Sequence, residues 1–281
     1  MIPVAFDYER ATSVDDALAK LAASGGGKLI AGGHSLVPLM KLRLSEPSRL
    51  VDIARIPGLS GIKELGGRIE IGATTVHSDI AGSKLLRDKC PMLAETAAEI
   101  GDPQVRNRGT IGGSIAHADP AADFPAAIIA LDADIHLKGK NGARTVKASA
   151  YFRGFYDVDL AAGELITAIQ FDPVRSAAYA KLHQRASHYA VVGVAAVLDL
   201  KGGVIQSARI GLTGATTHAV RLTGVEKALA GKKADGIAAA CAAAANDVSD
   251  LNADLHASAD YRKAMIPVFT RRAVEKALGR A

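Results

Sequence analysis

The sequence predicts an α+β chain, and three observations carry that prediction. Alternating apolar runs meet across glycine turns, Gly61–Leu65 with Arg68–Gly72 around Gly66-Gly67 and Ala133–Leu137 with Ala143–Lys147 around Gly139-Lys140-Asn141-Gly142, which is hairpin chemistry. From Ser176 onward three strands come first, Tyr179–His183, Val191–Leu200 and Val204–Thr213, the last two joined through Lys201-Gly202-Gly203 as an antiparallel meander. Helices follow over Arg221–Ala230, Ala234–Asn246 and Ala259–Leu278, and a small sheet covered by helices is an α+β domain. Breaks at Ile56-Pro57-Gly58 and Asp172-Pro173 divide the 281 residues into regions 1–57, 58–175 and 176–281.

The first region opens with a short strand at residues 3–8. Ser13-Val14-Asp15-Asp16 reads as a capping box that starts an Ala/Leu helix through Ala23, stopped by Ser24-Gly25-Gly26-Gly27. Lys28–Ala31 is an apolar strand running into Gly32-Gly33-His34-Ser35, and Leu36–Leu44 resumes as a helix with Pro38 in its first turn. Strand, glycine turn and helix N-terminus together make a phosphate-binding geometry. Arg49–Ile53 is a further strand.

In the second region, Thr74–His77 leads into helices over Ser78–Lys89 and Met92–Ile100. The stretch Ile100–Pro125 then concentrates glycine, proline and aspartate. Gly101-Asp102-Pro103 ends a helix, Val105–Gly109 is extended and basic, and Thr110–Ser114 forms a second glycine loop. Asp119-Pro120 and Asp123-Phe124-Pro125 start a helix through Leu131, with acidic residues where the helix dipole favours them. Ala150–Tyr156 reads as a short helix or loop, and Glu164–Phe171 as an alternating strand.

Two glycine segments, Ala31–Leu36 and Thr110–Ser114, suggest a site that grips an elongated anionic ligand through main-chain N–H groups. A dinucleotide has that shape, although neither GxGxxG nor GxxxxGK[ST] is present. Asp119 and Asp123 either cap a helix or accept hydrogen bonds from sugar hydroxyls. His117 reads as a hydrogen-bonding loop residue, because no second histidine or carboxylate set completes a metal site around it.

Composition narrows the function classes further. The net charge of +5 is spread along the chain and aromatics are 4%, which argues against a nucleic-acid partner. No apolar run reaches the roughly 20 residues of a membrane helix, and the start MIPVAFDYER has no signal-peptide pattern, so a cytoplasmic protein is expected. Cys90 and Cys241 are far apart and cannot hold an iron–sulfur cluster; they read as buried free thiols.

The segments AGGHSLVPLMKLRL (31–44) and QVRNRGTIGGSIAHADPAADFPA (104–126) closely resemble the FAD-binding (medium) subunit of the molybdenum hydroxylases, the family of carbon monoxide dehydrogenase medium subunits and xanthine dehydrogenase FAD domains. The likeness extends to MIPVAFDYER, to KLHQRASHYAVVGVAAVL (181–198) and to YRKAMIPVFTRRAVEKAL (261–278), and so covers essentially the whole chain. It implies a PCMH/VAO-type FAD-binding fold in two α+β subdomains, 1–57 and 58–175, followed by the family's C-terminal flavoprotein domain, 176–281. It implies non-covalent FAD held by Ala31, Gly32, Gly33, His34, Ser35 and Leu36 and by Thr110, Ile111, Gly112, Gly113 and Ser114. Asp123 matches a carboxylate on the ribose or ribityl side, Tyr189 a tyrosine against the isoalloxazine ring, and Lys181 and Ile166 segments lining the flavin. His188 stands where relatives usually carry an acidic residue.

The resemblance also implies the chemistry. A large subunit with molybdopterin oxidises the substrate, and a small subunit with 2Fe–2S clusters relays the electrons. The FAD of this chain collects them and passes them to quinone, O2 or NAD, so no residue is expected to act as acid, base or nucleophile. The expected assembly is a dimer of heterotrimers, held at most peripherally at the inner face of a membrane. The likeness is closest to carbon monoxide dehydrogenase; aldehyde, purine and N-heteroaromatic (nicotine, quinoline) dehydrogenases are alternatives, as is a scaffold subunit that has lost its flavin.

Overall fold

A computed structural model describes residues 1–280, and its α+β architecture rests on three main sheets. The first is parallel, in the order β1 (Asp7–Arg10), β3 (Arg49–Asp52), β2 (Lys28–Ile30). Parallel neighbours need crossovers, and α1 (Val14–Ala22) and α2 (Leu36–Lys41) lie in them. Ser13 caps α1 by accepting from the Asp16 N–H at 3.0 Å.

The second sheet is antiparallel, ordered β4 (Ile62–Leu65), β5 (Arg68–Gly72), β10 (Glu164–Phe171), β6 (Asp134–Gly139), β7 (Gly142–Lys147). Between β5 and β6 run α3 (His77–Gly82), α4 (Lys84–Lys89), α5 (Pro91–Ala98), α6 (Pro103–Arg106), α7 (Ile111–His117) and α8 (Asp123–Ala130). All residues of α8 are buried. Each of Phe124, Ile128 and Ile129 contributes roughly 1.5–3 kcal/mol by burial, so α8 anchors the core. After β7 come α9 (Ala148–Tyr151) and the small hairpin β8 (Phe152–Gly154) with β9 (Asp157–Val158).

The third sheet is the predicted meander, β11 (Ala177–His183), β12 (Ala190–Lys201), β13 (Val204–Thr213), with β14 (Val220–Arg221) at its edge. The helices α10 (Thr223–Leu229), α11 (Ile237–Ala242) and α12 (Ala259–Leu278) follow it, and together they bury a second apolar core. α8 presses so closely on β13 that a Cβ at Gly211 would stand 2.1 Å from the Ala126 carbonyl oxygen, so only glycine fits there. Arg262 of α12 is buried and donates to the Val191 and Gly214 carbonyls at 2.7 and 2.8 Å, which ties the final helix to the start of β12 and the end of β13.

Several elements differ from expectation for identifiable reasons. The strand expected at residues 3–8 begins at Asp7, where pairing with β3 begins. The helix expected over Ser78–Lys89 is two helices, because Ser83 ends α3 and caps α4 through the Leu86 N–H. Val105–Gly109, expected to be extended, starts inside a helical turn: Asp102 accepts from the Val105 N–H at 2.8 Å and Pro103 occupies the first helical position. Thr110–Ser114, expected to be a loop, is the first turn of α7, with Thr110 as its cap. Asp119 lies outside α8 and instead accepts from the Ala121 N–H in the preceding turn. Ala150–Tyr156 runs from the end of α9 through β8, and Ala234–Asn246 is α11 flanked by 3-10 turns.

Candidate functional site

The connections β2–α2, β5–α3 and α6–α7 converge on one cavity of about 700 Å³, to which the turn before β12 adds a fourth wall. Such a volume lies in the upper part of the usual range for small-molecule sites. Ala31, Gly32, Gly33, His34, Ser35, Leu36, Thr110, Gly112, Gly113, Ser114, Asp123, Ile166 and Tyr189 all line it. Ile111 and Lys181 do not. Ile111 is fully buried in the core, and the Lys181 side chain is 1% exposed behind Asp123.

The two glycine segments touch each other. A Cβ at Gly32 would stand 2.1 Å from the Arg108 carbonyl oxygen, so their backbones pack without side chains between them. Gly33 has φ +76, and His34 Nε2 lies 3.1 Å from the Gln104 carbonyl oxygen of α6. Among the described residues, no acceptor engages the N–H groups of Gly32, Gly33, His34 or Ser35. Four consecutive unengaged donors on a cavity wall are what an anionic ligand needs.

The second segment is built otherwise. The Ile111 and Gly112 N–H groups donate to the Thr75 and Ala73 carbonyls at 3.1 and 2.8 Å. The Gly113 N–H donates to Thr110 Oγ1 at 3.1 Å, and the Ser114 N–H to the Thr110 carbonyl at 3.0 Å. A Cβ at Gly112 would meet Ala73 Cβ at 2.6 Å. These four N–H groups are thus engaged within the chain, and Gly112 seats α7 against the end of β5.

Asp123 sits at the N-terminal end of α8 and takes three donor contacts from β11. Lys181 Nζ lies 2.8 and 2.9 Å from its two carboxylate oxygens, and the Tyr179 hydroxyl donates to it at 2.6 Å. Lys181 also donates to the Glu99 carbonyl at 2.9 Å. Burial pushes the Asp123 carboxyl up, opposed by Lys181 and Tyr179. A carboxylate has about four acceptor sites, so the face that Asp123 turns to the cavity remains able to accept from a ligand hydroxyl. Removing Lys181 would leave a buried, poorly compensated charge.

Tyr189 stands at the mouth, 44% exposed. A tight turn places it: the Gln184 N–H donates to the Tyr189 carbonyl at 2.8 Å, the His188 N–H to the Gln184 carbonyl at 2.9 Å, and His188 takes φ +61. This turn is fastened to the α7–α8 connection. The Ala190 N–H donates to Ala121, the Gly214 N–H to Pro120, and Thr213 Oγ1 to Pro120 and Ala122. His117 lines the same end with its ring 5.0 Å from that of Tyr156, whose hydroxyl donates to Asp119 at 3.0 Å.

Sequence reasoning missed Thr74 and His77, on the β5–α3 connection, and Tyr179, the second donor to Asp123. The Tyr179 position was signalled by the alternation of β11, which alternately turns side chains toward α8. No comparable local signal marked His77.

Comparison with known proteins shows the family and the fold. Residues 4–173 match the family described as the FAD binding domain in molybdopterin dehydrogenase, and residues 177–277 match the CO dehydrogenase flavoprotein C-terminal domain. The chain is 42% identical to the carbon monoxide dehydrogenase medium chain of Hydrogenophaga pseudoflava, covering 100% of this chain and 99% of that one. It is 40% identical to the 6-hydroxypseudooxynicotine dehydrogenase complex subunit alpha of Paenarthrobacter nicotinovorans, covering 100% and 97%. Its fold matches a solved structure of carbon monoxide dehydrogenase from Hydrogenophaga pseudoflava with a TM-score of 0.95 over the full length of both chains, at 42% identity.

Proposed function

Because the chain belongs to the FAD-binding family of the molybdopterin dehydrogenases, we propose that it is the FAD-carrying electron-transfer subunit of a heterotrimeric molybdenum hydroxylase. The observation that carries this reading is the row of unengaged N–H groups at Gly32–Ser35 on the wall of the cavity. These donors suit a diphosphate, Asp123 suits a sugar or ribityl hydroxyl, and Tyr189 offers an aromatic face for a flavin ring. Lys181, behind Asp123, positions that carboxylate rather than touching the cofactor. FAD, when bound, takes up electrons and passes them to an acceptor such as quinone, O2 or NAD; the chain supplies binding, orientation and electrostatics.

The electrons must enter from another polypeptide. The two cysteines are buried in separate cores, and burial pushes their thiols up to about 12 for Cys90 and about 11 for Cys241, so neither is a cluster ligand. We assign the donor to a small 2Fe–2S subunit and substrate oxidation to a large molybdopterin subunit, assembled as a dimer of heterotrimers. The 42% identity to a carbon monoxide dehydrogenase medium chain over the full length favours carbon monoxide as the substrate of the complex. No helix among the described residues is long and apolar enough to cross a membrane, and we place the complex in the cytoplasm, at most peripheral to the membrane.

The test is direct. The chain is purified, desalted and denatured, and the released chromophore is identified by absorbance and chromatography. About one equivalent of FAD is expected. A folded chain that takes up no flavin even from excess FAD would overturn the reading. Iron and molybdenum in the natively purified complex test the partner assignment.

A further inference from the structure

Two of the six buried polar atoms that lack a hydrogen-bond partner among the described residues lie on one short wall of the cavity: Thr74 Oγ1 and His77 Nδ1. Leaving such atoms unpaired costs stability, and a folded chain tolerates it mainly where a site requires it. His77 is the more informative. The residue is 5% exposed, and its main-chain N–H donates to the Gly109 carbonyl at 2.9 Å. The ring lies over Gly109, where a Cβ would stand 2.6 Å from Nε2, and its centroid is 5.2 Å from that of Phe124. Gly109 is thus kept bare so that this ring can occupy the junction of the two glycine segments.

We propose that His77 donates a hydrogen bond from Nε2 to a phosphate oxygen of the bound dinucleotide, an inference that rests on the FAD reading above. No protein group bonds either ring nitrogen. A buried lone pair without a partner is better tolerated than a buried N–H without one, so the proton belongs on Nε2 and Nδ1 keeps the lone pair. Burial holds the ring down to about 4, with His34 and Arg106 adding to the effect, so the imidazole is neutral near pH 7. The Arg106 guanidinium makes this junction electropositive, and the unengaged N–H row begins beside it at Gly32. An anion fits there; a second cation does not.

The experiment uses the full chain, freed of flavin, and measures affinity for FAD, ADP and riboflavin in the native protein, His77→Leu and His77→Gln. His77→Leu is expected to weaken FAD and ADP about tenfold or more while riboflavin binding is unchanged. His77→Gln, whose amide N–H reaches the Nε2 position, is expected to recover most of the loss. Melting of the flavin-free proteins reports folding, and the leucine variant should melt no lower than the native chain, since it removes an unpaired buried nitrogen. Nitrogen-15 histidine spectra of the native chain need no variant: ADP should shift the Nε2 signal of a histidine that stays neutral at pH 5. Native-like FAD and ADP affinity in His77→Leu, or no such shift, would overturn the proposal. Equal loss of FAD and riboflavin with ADP unchanged would move the contact to the flavin end and overturn the phosphate assignment. A native chain that binds neither FAD nor ADP would overturn the dinucleotide reading itself, and this contact with it.

Discussion

The segments at Gly32-Gly33 and Gly112-Gly113 look like duplicates in sequence, each a glycine pair close to a small hydroxyl residue and a helix start, yet they do different work. At the first, the N–H groups of Gly32–Ser35 are unengaged and Gly33 takes φ +76. At the second, the N–H groups of Ile111–Ser114 are all taken by Thr75, Ala73 and Thr110. Neighbours make the difference. α2 leads away from its sheet with only Met40 buried, whereas α7 is wedged under the end of β5 with Ile111, Gly112 and Ile115 buried. A glycine pair signals close backbone approach, but what approaches, ligand or another strand, is decided by the surroundings.

The harshest test of this contrast is Gly112→Val. Its Cβ would stand 2.6 Å from Ala73 Cβ and 2.7 Å from the Ala73 carbonyl oxygen, so overpacking should remove roughly 3 kcal/mol or more of stability, read by urea unfolding of the flavin-free chain. A variant of native stability that merely loses FAD would mean that the second segment is a ligand cradle after all. Next in size is the pH response of His77, which bridges the segments. Burial holds the folded imidazole down to about 4, below the ordinary 6.5 of an exposed histidine. Acid therefore protonates the unfolded chain first, so this residue's share of stability is intact above pH 6.5 and lost as pH falls toward 4. The loss should reach about 3 kcal/mol near pH 4, and His77→Leu should flatten that part of the unfolding profile.

Gly33→Ala should cost about 1–2 kcal/mol, because φ +76 is strained for an L side chain, and should weaken FAD binding while the fold persists. The smallest effects come from a matched pair. Thr110→Ala should cost about 1 kcal/mol by removing the cap on the Gly113 N–H, whereas Ser35→Ala, whose side chain makes no cap hydrogen bond, should leave stability within a few tenths. Equal losses in the two variants would erase the distinction between the segments.

What was legible in the sequence follows the same divide between local and distant contacts. Glu164–Phe171 is read to the residue because its apolar run is bounded by Gly163 and Asp172-Pro173, and the meander and the Ser13 cap are local patterns too. α6 and α7 were read as non-helical because their Asp-Pro and Gly-Gly sequences usually punctuate loops. The hydrogen bonds that make α7 part of the packed core come from Ala73 and Thr75, far along the chain. His77 read as one scattered histidine among several, since Gly109 and Phe124 give it meaning only in space. Lys181 read as lining the ligand, and its engagement by both oxygens of Asp123 shows only in three dimensions.

The fastening of the cavity mouth bears on how the protein is made. The Tyr189 wall is held by hydrogen bonds from Ala190, Thr213 and Gly214 to the Pro120–Ala122 turn, and Arg262 of the last helix grips Val191 and Gly214 in turn. A nascent chain emerging from the ribosome therefore presents the Gly32–Ser35 donors early and the Tyr189 wall late. Until α12 docks, the Val191 and Gly214 carbonyls beside this wall lack the Arg262 donor. The last helix to be synthesised thus completes the fastening of a wall whose opposite side is laid down first.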